Sequence, residues 1–560
     1  MTVCLNKTKK KKGLLSGALV LAFAGVVVKI IGLVYKIPLT NLIKSEGMGY
    51  FNSAYTIYTF FYMISTAGLP VAISLLISSA RSVGNRPRVK KIFLVSGTIF
   101  LTVGTIGSLL MFFCADFFAD LLGNPLAALS IRAISPTLFF VSVISVLRGY
   151  FQGHQYMLPT AVSQVAEAAG KLAFGMIFAL SAIKKGENYE IASAGAALGL
   201  SLGMGIALVC LIFMALFFKS DKYYEQIFDT LPAGSAASIM KGVACAALPI
   251  TLSSSVLSMS GTLDLVIVMR TLKKIGLSSA AANAAYGNYS ALALPMLNLP
   301  IVFITPIAST VVPYIAGLIS KREEKKVSSS VSLSMRLCAL ISFPCALGLC
   351  ALSLPILEML FDDALAQGAA PLLRLLAPSV IFLSFATVTN ALLQALGRPM
   401  VPVISMFVGS GIKMISGPML IKRFSISGAP MSTFLCYFTV CFINFIFIYK
   451  KLGEKPRLFS TFASPLFGAF LCALTASFSY AFLIRYLYGI VACGISIVAA
   501  GIIYIAVVLL TRYIDVHDIL SLSQSEKLQK ITEKIGNTKK PKGNKDKDER
   551  NRTFKRKRRA

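Results

Sequence analysis

The chain has 560 residues, of which 56% are hydrophobic and only 14% charged, with a mean hydropathy of +0.75. That is too apolar for a water-soluble protein of this length and defines an integral membrane protein. The net charge of +32 is spread over the amino end, the polar connections between apolar runs and a basic tail, so the whole-chain value is no signature of nucleic-acid binding.

Apolar runs recur from Gly13 to Arg512 with short polar interruptions. Each is continuous over about 20 residues, the length of a spanning helix, and not the alternating segments of about ten residues that build a barrel. The expected fold class is all-α, with about fourteen transmembrane helices in two six-helix lobes plus two extra helices. The predicted order is a basic amino terminus at 1–12, a first lobe at 13–218, a linker at 219–240, a second lobe at 241–449, helices thirteen and fourteen at 450–512, and a basic tail at 513–560.

The amino end reads "NKTKKKKG", and the hydrophobic run after it is too long for a secretory signal and lacks a small-residue cleavage site. Within this first span sit Lys29 and Lys36. An unpaired cation at mid-bilayer costs at least about 2.5 kcal/mol, so Lys29 faces either an anionic ligand such as a diphosphate or a structural partner. Lys36, nearer the outer interface, has the same two readings and can also snorkel. Gly25 and Gly32, also seven apart, read as helix-packing contacts.

In the second span Pro70, in "AGLPVA", is a candidate hinge; Pro249, Pro295 and Pro300 are its counterparts in the second half. Arg148 closes span four, as an interface anchor or a ligand. On span five Glu167 and Lys171 stand at i and i+4, the better orientation for an intrahelical ion pair. Asp264 in span seven is the lone carboxylate of its helix, either a coupling-ion or proton site or the partner of a lysine on a facing helix. Lys413 lies in span eleven.

Two stretches repeat. "LRGYFQGHQYMLPTAVSQVAEAAGKLAF" from Leu147 and "LLQALGRPMVPVISMFVGSGIKMI" from Leu392 share a Gln (Gln152, Gln394), a Met and Pro at span entry (Met157 and Pro159, Met400 and Pro402) and a deeper Lys (Lys171, Lys413). Six spans separate the copies, which implies two parallel halves with a substrate site between them. The eleven cysteines have no paired CxxC spacing, and there is no phosphate-binding loop or Ser-His-Asp set. No cofactor, metal centre or enzymatic apparatus is therefore expected, and the coupling ion is not legible.

Lys and Arg in alternate connections (Arg81 to Lys91, Lys219 and Lys222, Lys321 to Lys326, Lys450 to Arg457) orient both termini to the cytoplasm. The tail "KPKGNKDKDERNRTFKRKRRA" either fixes topology or adheres to anionic lipid headgroups, at about 1 kcal/mol per basic residue. Leu528, Ile531 and Ile535 before it have the spacing of a short interfacial helix.

The stretches "KIIGLVYKIPLTNLIKSEGMGYFNSAYTIY" from Lys29, "STAGLPVAISLLIS" from Ser65, "RGYFQGHQYMLPTAVSQVAEA" from Arg148 and "YGNYSALALPMLNLP" from Tyr286 together resemble the polysaccharide-exporter branch of the multidrug/oligosaccharidyl-lipid/polysaccharide superfamily, in particular its sporulation and lipid II flippase group. The resemblance extends to about Arg512. It implies a fourteen-helix plasma-membrane protein that flips an undecaprenyl-diphosphate-linked saccharide outward by alternating access, for peptidoglycan or spore cortex synthesis. Gram-negative members are more distant. They carry arginines in the first span where this chain has Lys29 and Lys36, and an arginine in the eighth where it has "YGNYS", near Asn288.

Three functions stand after this reading: a flippase for a lipid-linked saccharide such as lipid II, a drug or cation exporter on the same scaffold, and a non-transporting scaffold that recruits wall-synthesis enzymes. The candidate substrate contacts are Lys29, Lys36, Lys171, Lys413 and Arg148, against the carboxylates Glu167 and Asp264. The excess is positive and favours an anion.

Overall fold

The computed structural model describes residues 2–66, 69–217, 234–320, 323–452 and 458–511. The basic tail, with the interfacial helix expected around Leu528, and most of the 219–240 linker lie outside these residues. The first half contains α1 (Thr2–Thr66), α2 (Leu69–Ser82), α3 (Arg86–Phe113), the short α4 (Ala115–Leu122) and α5 (Ala128–Ile134), α6 (Pro136–Gly153), α7 (Leu158–Lys184) and α8 (Tyr189–Leu216). The second half contains α9 (Ala236–Lys274), α10 (Ser279–Gly287), a π-helical turn (Asn288–Ala293), α11 (Leu294–Asn298), α12 (Ile301–Ser320), α13 (Glu324–Ala351), α14 (Ser353–Glu358), α15 (Asp363–Leu376), α16 (Ser379–Ala395), α17 (Met400–Phe424) and α18 (Gly428–Lys451). It is completed by α19 (Leu458–Leu483) and α20 (Gly489–Leu510). Among the described residues there is no strand, so the chain is an all-α, multi-pass membrane protein.

Among the described residues nine stretches are long and apolar enough to cross a bilayer, or up to 11 if each of two bent pairs is one span. The difference from fourteen is partly one of folding back. The stretch Met400–Lys451 counts once, yet it is the hairpin of α17 and α18, reversed at Ser425, where φ is 52°. Gly417 faces Ser432 and Gly409 faces Val440 and Cys436 across it, the pairing of antiparallel helices.

The other long stretch, within α1, behaves the same way. The rings of Tyr35 and Tyr55 would be about 30 Å apart along a straight helix, but their centroids lie 5.1 and 5.7 Å from one ammonium, that of Lys171. The chain therefore doubles back between them. The reversal is at Lys44, with φ 58° and ψ −176°, a conformation that costs a non-glycine residue roughly 1–3 kcal/mol.

Helices α7 and α8 form a third hairpin, closed by glycines. A Cβ on Gly170 would lie 2.8 Å from the Gly203 Cα, and one on Gly203 would lie 2.7 Å from the Lys171 amide nitrogen and 2.8 Å from the Glu167 carbonyl. This is the small-residue packing of membrane helices. The expected packing role of Gly25 and Gly32 is not found, since a Cβ on either meets nothing within 4 Å; a seven-residue period marks one face but not what covers it.

The largest apolar cluster joins the two halves. Leu39, Ile43 and Met48 of α1 pack in it with Tyr289 and Leu292 of the π-helical turn and Leu373 of α15. Pro300 falls in the break between α11 and α12, where the span bends by 45°. Pro70, by contrast, is the second residue of α2, where its missing N–H removes no bond inside that helix.

Candidate functional site

A cavity of about 230 Å³ lies within the first half, between the second limb of α1 and helices α6, α7 and α8. One wall is a ladder of tyrosines: Tyr55, Tyr58 and Tyr62 recur at i, i+3 and i+7, with ring centroids 5.8 and 5.9 Å apart in sequence. The facing wall carries Arg148, Glu167 and Lys171.

Arg148 Nη2 donates to Glu167 Oε2 at 3.0 Å, and its Nε donates to Ser163 Oγ at 3.0 Å. This corrects two expectations. Arg148 is not an interface anchor, because its side chain is only 13% exposed and turned to the cavity. Glu167 is bridged by Arg148 of α6 and not by Lys171 one turn along α7. The guanidinium offers a planar fork that an i+4 ammonium lacks, and α6 brings it alongside.

Lys171 lies instead over the rings of Tyr35 and Tyr55, a cation–π arrangement worth about 0.5–2 kcal/mol. Tyr35 is buried and fixed by its hydroxyl, which donates to the Ala196 carbonyl at 3.3 Å. Half-buried Lys36 is near enough for its charge to repel that of Lys171. Two cations, Arg148 and Lys171, thus share the cavity wall with one carboxylate, Glu167, and Lys36 stands behind Lys171, outside the lining.

Lys29 is not among the cavity's lining residues. It is exposed, on the α1 face shared with exposed Val26, Ile30 and Leu33. Lys413 and Asp264 are brought together: Lys413 Nζ is 2.9 Å from Asp264 Oδ1, with side-chain exposures of 12% and 11%.

At the Lys44 end of the bundle the halves are tied by polar side chains. Lys44 pairs with Asp362, and Ser45 donates to Asn288 Oδ1. Asn52 Nδ2 donates to Ser290 Oγ at 3.0 Å, Asn124 and Asn283 bond each other, and the Asp362 N–H donates to Asn41 Oδ1 at 3.1 Å. Sequence reasoning missed this seam and the tyrosine ladder. Tyr55, Tyr58 and Tyr62 had a helical signal in "AYTIYTFFY", and Asn124 and Asn283 were amides flanked by apolar runs.

An all-helical bundle with a charged cavity inside it and a polar seam between its halves is the architecture of a membrane transporter. The chain belongs to the polysaccharide biosynthesis protein family, whose model matches residues 14–319, and with it to the flippases of the MOP superfamily; a MatE model also matches residues 249–419.

In Bacillus subtilis (strain 168) it is 28% identical to the uncharacterized membrane protein YabM (79% of this chain, 81% of that one). It is 27% identical to stage V sporulation protein B (72% and 77%) and 24% identical to the lipid II flippase MurJ (80% and 84%). Among solved structures, the lipid II flippase MurJ in an inward closed conformation superposes with a TM-score of 0.65 at 13% identity, over 88% of this chain and 99% of that one. An inward-facing multidrug resistance MATE family transporter superposes with a TM-score of 0.62 at 16% identity, over 77% and 98%. These families are transporters and flippases, not enzymes.

Proposed function

We propose that the protein moves an undecaprenyl-diphosphate-linked saccharide, lipid II or a close relative, from the inner to the outer leaflet of the plasma membrane by alternating access. The observation that carries this reading is the surplus of cations at the cavity: among the described residues its wall carries Arg148 and Lys171 against Glu167 alone, with Lys36 near Lys171. Charge of that sign in a low-dielectric site attracts a diphosphate and repels the cationic drugs of the rival reading. Lys171 and Arg148 are its first contacts, Lys36 reinforces them, and Lys29 meets the anion on the way in. Two bundles rocking about the seam, with the Lys44 end outside and both termini in the cytoplasm, provide the alternation.

The lipid tail needs an apolar path. A groove of about 300 Å³ lined by Leu299, Phe303, Leu352, Cys472 and Ala500 runs beside α19 and α20 and supports that role for the last two helices. The basic tail would hold anionic headgroups at the cytoplasmic face.

The test is reconstitution of the purified chain into vesicles with lipid II labelled on one leaflet. Transfer to the other leaflet is expected, with competition by soluble diphosphates. Export of a cationic dye with no movement of lipid II would replace this reading with the exporter. Orientation is tested by external thiol labelling, expected at Lys185→Cys and Arg423→Cys but not at Arg88→Cys or Lys325→Cys.

A further inference from the structure

Asp264 of α9 and Lys413 of α17 are not an isolated pair. The second carboxylate oxygen, Oδ2, faces the Tyr289 hydroxyl at 3.5 Å, and that hydroxyl lies 2.7 Å from Thr433 Oγ1 of α18. Asp264, Tyr289 and Thr433 are all buried. The Thr433 hydroxyl donates to the Ala429 carbonyl at 3.0 Å, so toward Tyr289 it acts as an acceptor. Next to the ammonium of Lys413 the second half thus has a carboxylate, backed by a chain of two hydroxyl groups, on three different elements. Oxygen groups with one formal negative charge are the donor set of a hard monovalent cation.

The first half gives its corresponding lysine a different neighbourhood. As α17 packs on α9, so α7 packs on α1, and Lys171 meets there the ring of Tyr35 at 5.1 Å where Lys413 meets a carboxylate. One lysine is neutralised within the protein. The other keeps its charge for something else.

We propose that Lys413 is a tethered cation: its ammonium fills the seat that an exchangeable monovalent cation would take at Asp264, so the second half changes conformation without binding a free sodium ion there. A carboxylate that already holds a full positive charge at 2.9 Å offers no place to a second one. Removing the tether exposes the seat, and a buried carboxylate left alone is strongly destabilising, so the truncated protein takes up a small free cation in compensation. This inference concerns the second half alone and stands whichever substrate the protein carries.

The experiment is thermal unfolding of the full chain in detergent, in sodium, potassium or choline chloride at one ionic strength. The wild type is expected to melt at the same temperature in all three. Lys413→Ala is expected to melt lower in choline and to recover in sodium or ethylammonium chloride, with a shift that grows as the logarithm of cation concentration. The double variant Lys413→Ala/Asp264→Asn, which has no seat, is expected to show no such recovery.

A saturable sodium stabilisation of the wild type, which needs no variant to fold, would overturn the proposal. So would a Lys413→Ala protein whose melting responds to cations no more than the double variant does. Substrate transfer is a separate readout: the inference predicts equal wild-type rates in sodium and choline, and sodium-dependent transfer would count against it while leaving the substrate reading intact.

Discussion

Asn124 and Asn283, 159 residues apart, exchange two side-chain hydrogen bonds: Asn124 Nδ2 donates to Asn283 Oδ1 at 2.6 Å, and Asn283 Nδ2 donates to Asn124 Oδ1 at 2.9 Å. Both side chains are fully buried, and Asn124 also donates to Ser53 Oγ at 2.9 Å. Truncating Asn283 leaves the buried Asn124 Oδ1 without the donor it has here, at about 1–3 kcal/mol. Asn283→Ala is therefore expected to loosen the seam between the halves. The check is thiol labelling of an Asn52→Cys reporter from outside vesicles, with labelling several-fold faster in the Asn283→Ala background.

Lys171 is the cation of the cavity with aromatic faces and no carboxylate of its own. A hydrogen bond to a charged group is worth about 1.5–3 kcal/mol, so Lys171→Ala is expected to slow transfer of a lipid-linked diphosphate by roughly ten- to hundred-fold while membrane insertion is kept. Lys171→Arg should retain part of the rate. Lys29→Ala, on the exposed limb of α1, should raise the substrate concentration needed for half-maximal transfer more than it lowers the maximal rate. Flipping assays in reconstituted vesicles separate the two effects.

Gly203 leans on the turn of α7 that carries the site. Its added methyl would press on the Lys171 amide and the Glu167 carbonyl, both backbone atoms, and backbone cannot swing aside as a side chain does. Gly203→Ala is expected to destabilise by about 1–3 kcal/mol and to reduce transfer beyond what that loss explains. Gly25→Ala, in open space, should change neither. Thermal melting and transfer rates of the two variants make the comparison.

His154 provides a pH dependence. Its ring is buried beyond the end of α6, with Nδ1–H donating to the Tyr150 carbonyl at 2.9 Å. Burial pushes its pKa down and the Arg81 charge adds to this, against the opposing effect of the carbonyl. With a folded pKa below the usual value of about 6.5, the unfolded chain takes the proton first as pH falls. Stability then rises with pH across the window between the folded pKa and about 6.5. Lowering pH from about 7.5 to about 5.5 should reduce the melting temperature of the wild type more than that of His154→Gln.

The membrane character and the helical class were legible because the bilayer imposes one requirement, apolar length, on every span. The repeat that pairs Lys171 with Lys413 was legible too, and the structure places the two on matching hairpins, α7–α8 and α17–α18. The partner of Glu167 was not. An i,i+4 rule sees only one helix, whereas Arg148 arrives from another. A turn between the first two spans was legible from their number; its form was not, since the positive φ falls on Lys44 and not on a glycine. The seam of Asn52, Asn124 and Asn283 depends on which helices meet, which a single sequence does not state.

The reversal at Lys44 also makes α1 a lever. Because the same residue turns the chain and pairs with Asp362, the two limbs are clamped at their tip to the other half. The second limb reaches from Lys44 to Tyr62, about 27 Å of helix, with the tyrosine ladder along it. A pivot of about 10° at the clamp would carry Tyr62 through roughly 5 Å at that radius, while Ser45 hardly moves. Displacement is thus amplified along the ladder, and the far end of the cavity can widen or shut while the tip stays fastened.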